Sequence, residues 1–219
     1  MLHFADATCG CFLRNSNLWA SSGDRYQYGV YSNGSPVKLA GSKLVGYAGA
    51  GVYAGGGTVD VQNNQFDSCA IGVQGAGGNS IISGNAFNGR GAAVLNGTAL
   101  ISTAHQPAPG AEGFVGSYVI NGNMVEDDSA PQNPTVLLSH AATGVISGNS
   151  FHKRNATGKA FIIGVQEGDG DAAAGTLLTG NSFRAAGRVA GGQAVSPRFK
   201  GKVANNLGAA DSARDDVVR

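Results

Sequence analysis

The sequence predicts an all-β chain that winds into a single parallel β-helix, a solenoid of about eight coils. Three observations predict this fold: a short motif returns at intervals of a coil's length, short apolar strands lie between its copies, and turn residues replace charges. The chain has 36 glycines, and only 13% of its residues are charged, about half the roughly 25% usual in soluble domains. Its hydrophobic fraction of 42% still provides enough apolar surface for a folded core.

The recurring motif reads apolar, any residue, Gly or Asn, Asn or Ser, any residue, apolar. Its clearest copies end in phenylalanine and span residues 82–87, 146–151 and 178–183. Weaker copies begin at Leu13, Leu39, Val61, Ile120 and Val203. The shorter intervals between copies, 21 to 26 residues, give the length of one coil, and the intervals of 38 and 32 residues carry inserted loops.

Short apolar strands recur between these copies, for example at residues 29–31, 51–53, 136–138 and 161–163. A unit of this length without helical periodicity is too short for a strand, a crossover helix and a second strand. We therefore interpret each unit as one coil. Its strands should pair with the equivalent strands of the coils above and below, about 4.8 Å away.

Each bend of the coil has two predicted columns. The last apolar residue of the motif should point inward and form a column of Phe66, Phe87, Phe151 and Phe183, extended by Leu18, Leu44 and Val125. The asparagine of the motif should occupy the tight bend, where left-handed backbone geometry is tolerated, and its amide should bond the asparagine of the next coil. The predicted asparagine ladder consists of Asn64, Asn85, Asn123, Asn149 and Asn181.

With this motif the chain resembles the right-handed parallel β-helix (pectate-lyase-like) superfamily, which includes polysaccharide lyases and hydrolases and phage tailspikes. The resemblance covers about residues 10 to 207. It implies right-handed winding, a polysaccharide or other glycan as partner and, for tailspike-like members, a homotrimer. It also implies an extracellular, periplasmic or virion-surface location, although the first residues do not read as an export signal.

Residues 1–207 are predicted to form the β-helix domain, as part of a longer protein or capped by a partner, and residues 208–219 a short cap or a tail. The net charge of +1 gives no general attraction for nucleic acid or a membrane surface, and no apolar stretch is long enough to span a bilayer. The odd cysteine count, three, predicts free thiols rather than a disulfide framework.

Opposite charges follow the bend on neighbouring coils. Glu126, Asp127 and Asp128 lie on one coil, and His152, Lys153 and Arg154 on the next, with Arg184 on the coil after that. These residues are the catalytic candidates, and Arg184 is a ligand-binding candidate, because such an arrangement can grip a sugar or supply an acid and a base. The alternative is a set of ion pairs between coils on a solvated edge.

Two further candidate sites lie elsewhere. Tyr28, Tyr31 and Tyr53, on adjacent coils, can form an aromatic platform for a sugar or can pack the first coils together. Glu167, Asp169 and Asp171 alternate with glycine and are candidate calcium ligands, although they do not match a full calcium-loop signature and a flexible acidic loop is the alternative. No other cofactor is predicted.

The strand that enters each bend should carry two outward columns. One contains the aliphatic residues Ile81, Val119, Val145 and Leu177 after Asp60, and the other contains Gln62, Ser83, Asn121, Ser147 and Thr179. An exposed aliphatic column is a contact patch, whereas an error of one residue in the facing would bury it. Neither column has the clustered carboxylates that a glycoside hydrolase uses.

The leading functional hypothesis is an extracellular or virion-surface β-helix that binds polysaccharide, like a tailspike shaft, without evident catalysis. The first alternative is a polysaccharide lyase or glycoside hydrolase that uses the charged residues after the bend. The second is a structural β-helix that oligomerises through its aliphatic column.

Overall fold

A computed structural model describes residues 2–4, 10–20, 27–76, 78–90, 99–103, 116–130, 132–138, 143–154, 161–166, 173–185 and 194–208. Within these ranges every regular element is a β-strand, and the strands, β1 to β23, form three sheets. The predicted cap or tail after residue 208 lies outside the described residues.

Sheet A contains β1 (Leu2–Phe4), β4 (Tyr28–Asn33), β7 (Ala50–Gly55), β10 (Ile71–Ala76), β13 (Ile101–Ser102), β16 (Val136–Leu138) and β19 (Ile163–Val165). Sheet B contains β2 (Cys11–Arg14), β5 (Val37–Ala40), β8 (Val59–Gln62), β11 (Ser80–Ser83), β14 (Ser117–Asn121), β17 (Thr143–Ser147), β20 (Thr176–Thr179) and β22 (Lys202–Ala204). Sheet C contains β3 (Asn17–Trp19), β6 (Lys43–Val45), β9 (Gln65–Asp67), β12 (Ala86–Gly89), β15 (Met124–Asp127), β18 (Ser150–Lys153), β21 (Ser182–Ala185) and β23 (Leu207–Gly208).

The order of the strands makes the chain a parallel β-helix. In sheets B and C the neighbouring strands run parallel, and along most of the chain each is the third strand after its neighbour, as with β2, β5 and β8. The chain therefore passes through sheets A, B and C once per coil. The register keeps equivalent positions together, as when Leu39 pairs with Val61 and Val61 with Ile82. The prediction of an all-β parallel β-helix with about eight coils is confirmed.

The core is a set of inward columns, because alternate residues of a strand point to opposite faces. The predicted phenylalanine column is present, and its rings stack where they are adjacent: the centroids are 4.9 Å apart for Phe66 and Phe87 and 5.5 Å apart for Phe151 and Phe183. Val125 pairs in register with both Phe87 and Phe151 and continues the column between the two stacks. Cys11 and Cys69 are buried free thiols, as predicted.

The asparagine ladder is confirmed. From Asn64 onward, each ladder asparagine donates its backbone N–H and its Nδ2 to the Oδ1 of the ladder asparagine in the next coil, at 2.8 to 3.1 Å. Asn206 extends the ladder by one coil beyond the predicted members, and at the other end Ser42 bonds Asn64 through its backbone N–H.

One detail of the predicted bend is wrong. The left-handed conformation belongs to the residue before each ladder asparagine, as at Asn63 (φ 55°) and Gly84 (φ 64°), and not to the ladder asparagine itself. This explains why the motif has Gly or Asn at its third position, since these residues tolerate positive φ best. The ladder asparagine can then keep its amide inside the bend and its backbone in line with the next strand.

The two outward columns of sheet B face solvent as predicted. Ile81, Val119 and Leu177 are 39%, 39% and 37% exposed, while Ile82 and Ile120, their chain neighbours, are fully buried. The facing of the strand is therefore the predicted one, and the alternative with an error of one residue is excluded.

Candidate functional site

The charged candidates lie on sheet C, where the strands after the bend place them in register. Glu126 pairs with His152 on the next coil, and His152 pairs with Arg184 on the coil after that. Asn88 precedes Glu126 in the same outward column and donates a 3.2 Å hydrogen bond to Asp67. The outer face of sheet C thus carries a continuous row of polar and charged groups.

Glu126 lies at the centre of an ion-pair cluster. Its Oε2 is 2.6 Å from Nη2 of Arg90 and 2.7 Å from Nη2 of Arg154, and Nε of Arg154 is 3.7 Å from Asp128 Oδ1. The hydrogen bond from Arg90, with the nearby charge of Arg154, lowers the pKa of Glu126 below the ordinary glutamate value. Glu126 is therefore held as an ionised acceptor in ion pairs between coils, which the alternative interpretation predicted, and a catalytic role of these residues stays a prediction.

Asp127 and Lys153 lie on the other side of the same strands. Both side chains are completely buried, and their Oδ2 and Nζ atoms are 3.0 Å apart. Lys153 also donates to Ser129 Oγ, and Asp127 accepts from the Ser129 N–H and from Thr135 Oγ1. A ligand on the outer face cannot contact either group, because strand alternation points both inward. The prediction that Asp127 and Lys153 lie beside Glu126 on the solvated edge is therefore corrected: both are buried inside the coil.

The three tyrosines come together as predicted, on the outer face of sheet A. Tyr31 and Tyr53 are in register on adjacent strands and stack with ring centroids 5.0 Å apart and an interplanar angle of 7°. The ring of Tyr28 is tilted by 49° to both, with its centroid 5.1 Å from that of Tyr31 and 5.3 Å from that of Tyr53. Burial, and then the proximity of Tyr31 and Tyr28, raises the pKa of Tyr53. All three residues are partly exposed, and their rings also pack adjacent coils together. Both predicted interpretations fit this geometry, and a role as a sugar platform stays a prediction.

A groove on the first coils of sheet B was not among the predicted sites. It encloses about 530 Å³ between β2, β5 and β8, and its outward side chains are Phe12, Arg14, Lys38 and Asp60. Phe12 is 54% exposed, and its ring centroid lies 4.4 Å from the Arg14 guanidinium carbon and 5.9 Å from Lys38 Nζ. The sequence contains a signal for this groove, because the alternation of inward and outward residues in the first coil places Phe12 in the same outward column as Lys38.

The calcium candidates Glu167, Asp169 and Asp171 lie outside the described residues. Within the described part of the chain no group of three or more His, Cys, Asp and Glu side chains is arranged to hold a metal ion. The same part contains no helix that is long and apolar enough to cross a membrane.

The fold and its strand order define the protein as a parallel β-solenoid. Comparisons of the chain with protein-family models, with curated proteins and with solved structures each find no match. The class of protein therefore follows from the geometry of the coils, and the activity has to be argued from the side chains they display.

Proposed function

We propose that this protein is a non-catalytic β-helix that binds polysaccharide through the tyrosine cluster of Tyr28, Tyr31 and Tyr53. The observation that carries the proposal is the packing of three partly exposed aromatic rings within 5.3 Å of one another on two adjacent coils. Tyrosine suits this role because it offers a large, rigid surface that is apolar on its ring and polar at its hydroxyl.

The strands of sheet A hold the cluster in place before a ligand arrives. Tyr31 and Tyr53 are fixed by parallel pairing of β4 with β7, and the stacking of their rings restricts both side chains further. A site that is already ordered loses less conformational entropy on binding. Asn33 and Gln74 lie on β4 and β10 beside the rings and add amide groups for sugar hydroxyls.

The surroundings of Glu126 and Asp127 support binding rather than hydrolysis. Most glycoside hydrolases need one carboxyl group that stays protonated as a general acid and a second that is ionised. Glu126 lies between two guanidinium groups that favour its ionised form, and Asp127 is paired with Lys153 in the interior. Neither side chain suits the role of a proton donor to a bound glycan.

The proposal includes the setting that the superfamily resemblance implies, namely outside the cell, in the periplasm or on a virion surface. The homotrimer that the tailspike resemblance implies is not part of this proposal. Polysaccharides are the partners expected in each of these settings.

A binding assay with matched variants tests the proposal. The wild-type chain should bind at least one member of a panel of bacterial and plant polysaccharides saturably in affinity electrophoresis or calorimetry. We expect Tyr31→Ala and Tyr53→Ala to raise Kd about tenfold each, in line with truncation of an aromatic anchor. Trp19→Ala, which removes an exposed ring from sheet C, is the matched control and should leave Kd unchanged.

An unchanged Kd in both tyrosine variants would remove the tyrosine cluster as the site. The same panel also tests the enzymatic alternative, by measuring reducing ends and unsaturated uronate absorbance with and without calcium. Saturable product release that Glu126→Gln abolishes would replace the proposed binding function by a lyase or a hydrolase.

A further inference from the structure

One outward column of sheet B contains an aliphatic run with opposite charges on its two sides, and Phe12 and Lys38 precede Asp60 in the same column. In register from β8 to β22 it reads Asp60, Ile81, Val119, Val145, Leu177, Lys202. The four central side chains are aliphatic, and three of them are more than a third exposed. From Asp60 to Lys202, this part of the column gives a charge, four aliphatic residues and the opposite charge.

We propose that a second copy of this chain packs against this face, with its coils in the reverse order. A two-fold axis that runs parallel to the strands, between Val119 and Val145, produces this packing. Val119 then faces Val145 of the partner subunit. Asp60 faces Lys202 of the partner subunit, and the symmetry forms each contact twice.

The charges select the reverse order over the alternative. If the coils of the two copies ran in the same order, each residue of the column would face its own equivalent. Asp60 would then face Asp60 of the partner subunit, and Lys202 would face Lys202 of the partner subunit. Juxtaposed like charges oppose association, whereas opposite charges at both ends fix the register of the reversed pair.

The neighbouring outward column is compatible with the same axis. A rotation about the strand direction leaves that direction unchanged, so the polar column of one copy faces the polar column of the other. Ser83 then faces Thr179 of the partner subunit, and Asn121 faces Ser147 of the partner subunit. These side chains can donate and accept hydrogen bonds, and no like charges meet.

Asp60 keeps 17% of its side chain exposed, and a second cation would have to approach it there. Its Oδ2 lies 3.0 Å from Lys38 Nζ, and its Oδ1 accepts a 2.6 Å hydrogen bond from Gln62. Glu126 shows that a carboxylate of this molecule can lie between two cations from the neighbouring coils. Lys202 of the partner subunit would give Asp60 the same surroundings.

The size of the face sets the expected strength. Six strand widths of about 4.8 Å and four residue lengths of about 3.3 Å give a face of about 29 by 13 Å. Stable complexes bury about 800 Å² per partner, so a face of this size predicts a reversible dimer that forms with rising concentration. The face lies on sheet B and the tyrosine cluster on sheet A, so the dimer does not depend on the proposed function.

Sedimentation velocity over a concentration series, with charge-swap variants, tests the proposal. The wild-type chain should show reversible dimers, and Asp60→Lys or Lys202→Asp alone should weaken them at least tenfold, because each places like charges at both ends. An equimolar mixture of the two variants should recover the dimer, since both pairs are then opposite. Gln65→Lys on sheet C is the control and should dimerise like the wild type.

Chemical cross-linking reports the order of the coils separately. Cys9 is replaced by serine in both chains, and Cys11 and Cys69 are buried. One chain carries Ile81→Cys and the other carries Leu177→Cys. The two are mixed and treated with a bismaleimide of about 10 Å, which is the spacing of facing sheets. The proposal predicts cross-links between the two variants and few within either. The proposed dimer would be overturned by any of three results: a wild-type monomer at all concentrations, charge-swap variants that dimerise like the wild type, or cross-links within Ile81→Cys alone. Circular dichroism confirms that every variant is folded.

Discussion

Replacing Asn123 by alanine should destabilise the chain more than the same change at the end of the asparagine ladder. The Asn123 side chain makes four hydrogen bonds: Nδ2 donates to the Ile82 carbonyl and to Asn149 Oδ1, and Oδ1 accepts from the backbone N–H and the Nδ2 of Asn85. Asn→Ala at this position removes all four bonds in the middle of the core. It also leaves the buried Asn85 N–H without its acceptor.

The magnitude follows from these four bonds. A hydrogen bond contributes about 1 kcal/mol net, and an unpaired buried donor costs about 1 to 3 kcal/mol. Partial relaxation offsets some of this loss, so we expect a decrease of about 3–5 kcal/mol in the free energy of unfolding. Asn206 makes the same number of side-chain bonds, but it is only partly buried in the last coil that the structure describes, where water can replace them. Asn206→Ala should therefore cost about 1 kcal/mol.

Urea unfolding followed by circular dichroism measures both variants against the wild type. Amide hydrogen exchange at Asn85 reports the local effect, because its N–H loses protection when the Asn123 acceptor is removed. If Asn123→Ala and Asn206→Ala lowered the free energy of unfolding by the same amount, within about 1 kcal/mol, burial would not strengthen the ladder bonds and the reasoning would be refuted.

Three further predictions concern titratable side chains. Lys153→Met should lower the free energy of unfolding by about 3–5 kcal/mol in thermal or urea unfolding, because it leaves the buried Asp127 charge unpaired, and a loss below 1 kcal/mol would contradict this. The pKa of Glu126 is lowered in the folded chain, so its stabilising contribution is present above the ordinary glutamate pKa and is lost as the pH falls through the folded pKa. The difference in the free energy of unfolding between wild type and Glu126→Gln should therefore shrink in acid. A difference independent of pH would contradict the ion-pair cluster. Burial raises the pKa of Cys69 to about 11 from 9.0, so iodoacetamide should alkylate it about a hundredfold more slowly in the native than in the unfolded chain, and equal rates would show that it is accessible.

The fold was predictable because its main determinants are local and repeat with the coil. The motif at residues 82–87 has a glycine for the left-handed bend, an asparagine for the ladder and a phenylalanine for the core, and each copy stacks on the next. Asn206 was not predicted as a ladder member because its copy of the motif is degraded, with Gly208 in register with the core residue Phe183. Its amide nevertheless forms the same bonds as those before it.

The site was predictable only in part. The tyrosine cluster came together because Tyr31 and Tyr53 occupy equivalent strand positions. The charged residues were instead treated as one surface group, although strand alternation separates Glu126 outside from Asp127 inside. The sequence contained that signal, since Val125 was already predicted to point inward. Its consequence, a buried lysine and aspartate bonded to each other, depends on which loop side chains close over the pair.

The most direct test of the central claim is the binding isotherm of the wild-type chain and of Tyr53→Ala on the polysaccharide panel, with product release followed in the same samples. Polysaccharide binding without cleavage predicts saturable binding to at least one glycan, about tenfold weaker in the variant, and no reducing ends or unsaturated uronates. Absence of binding across the panel, or saturable cleavage of any member, would contradict it.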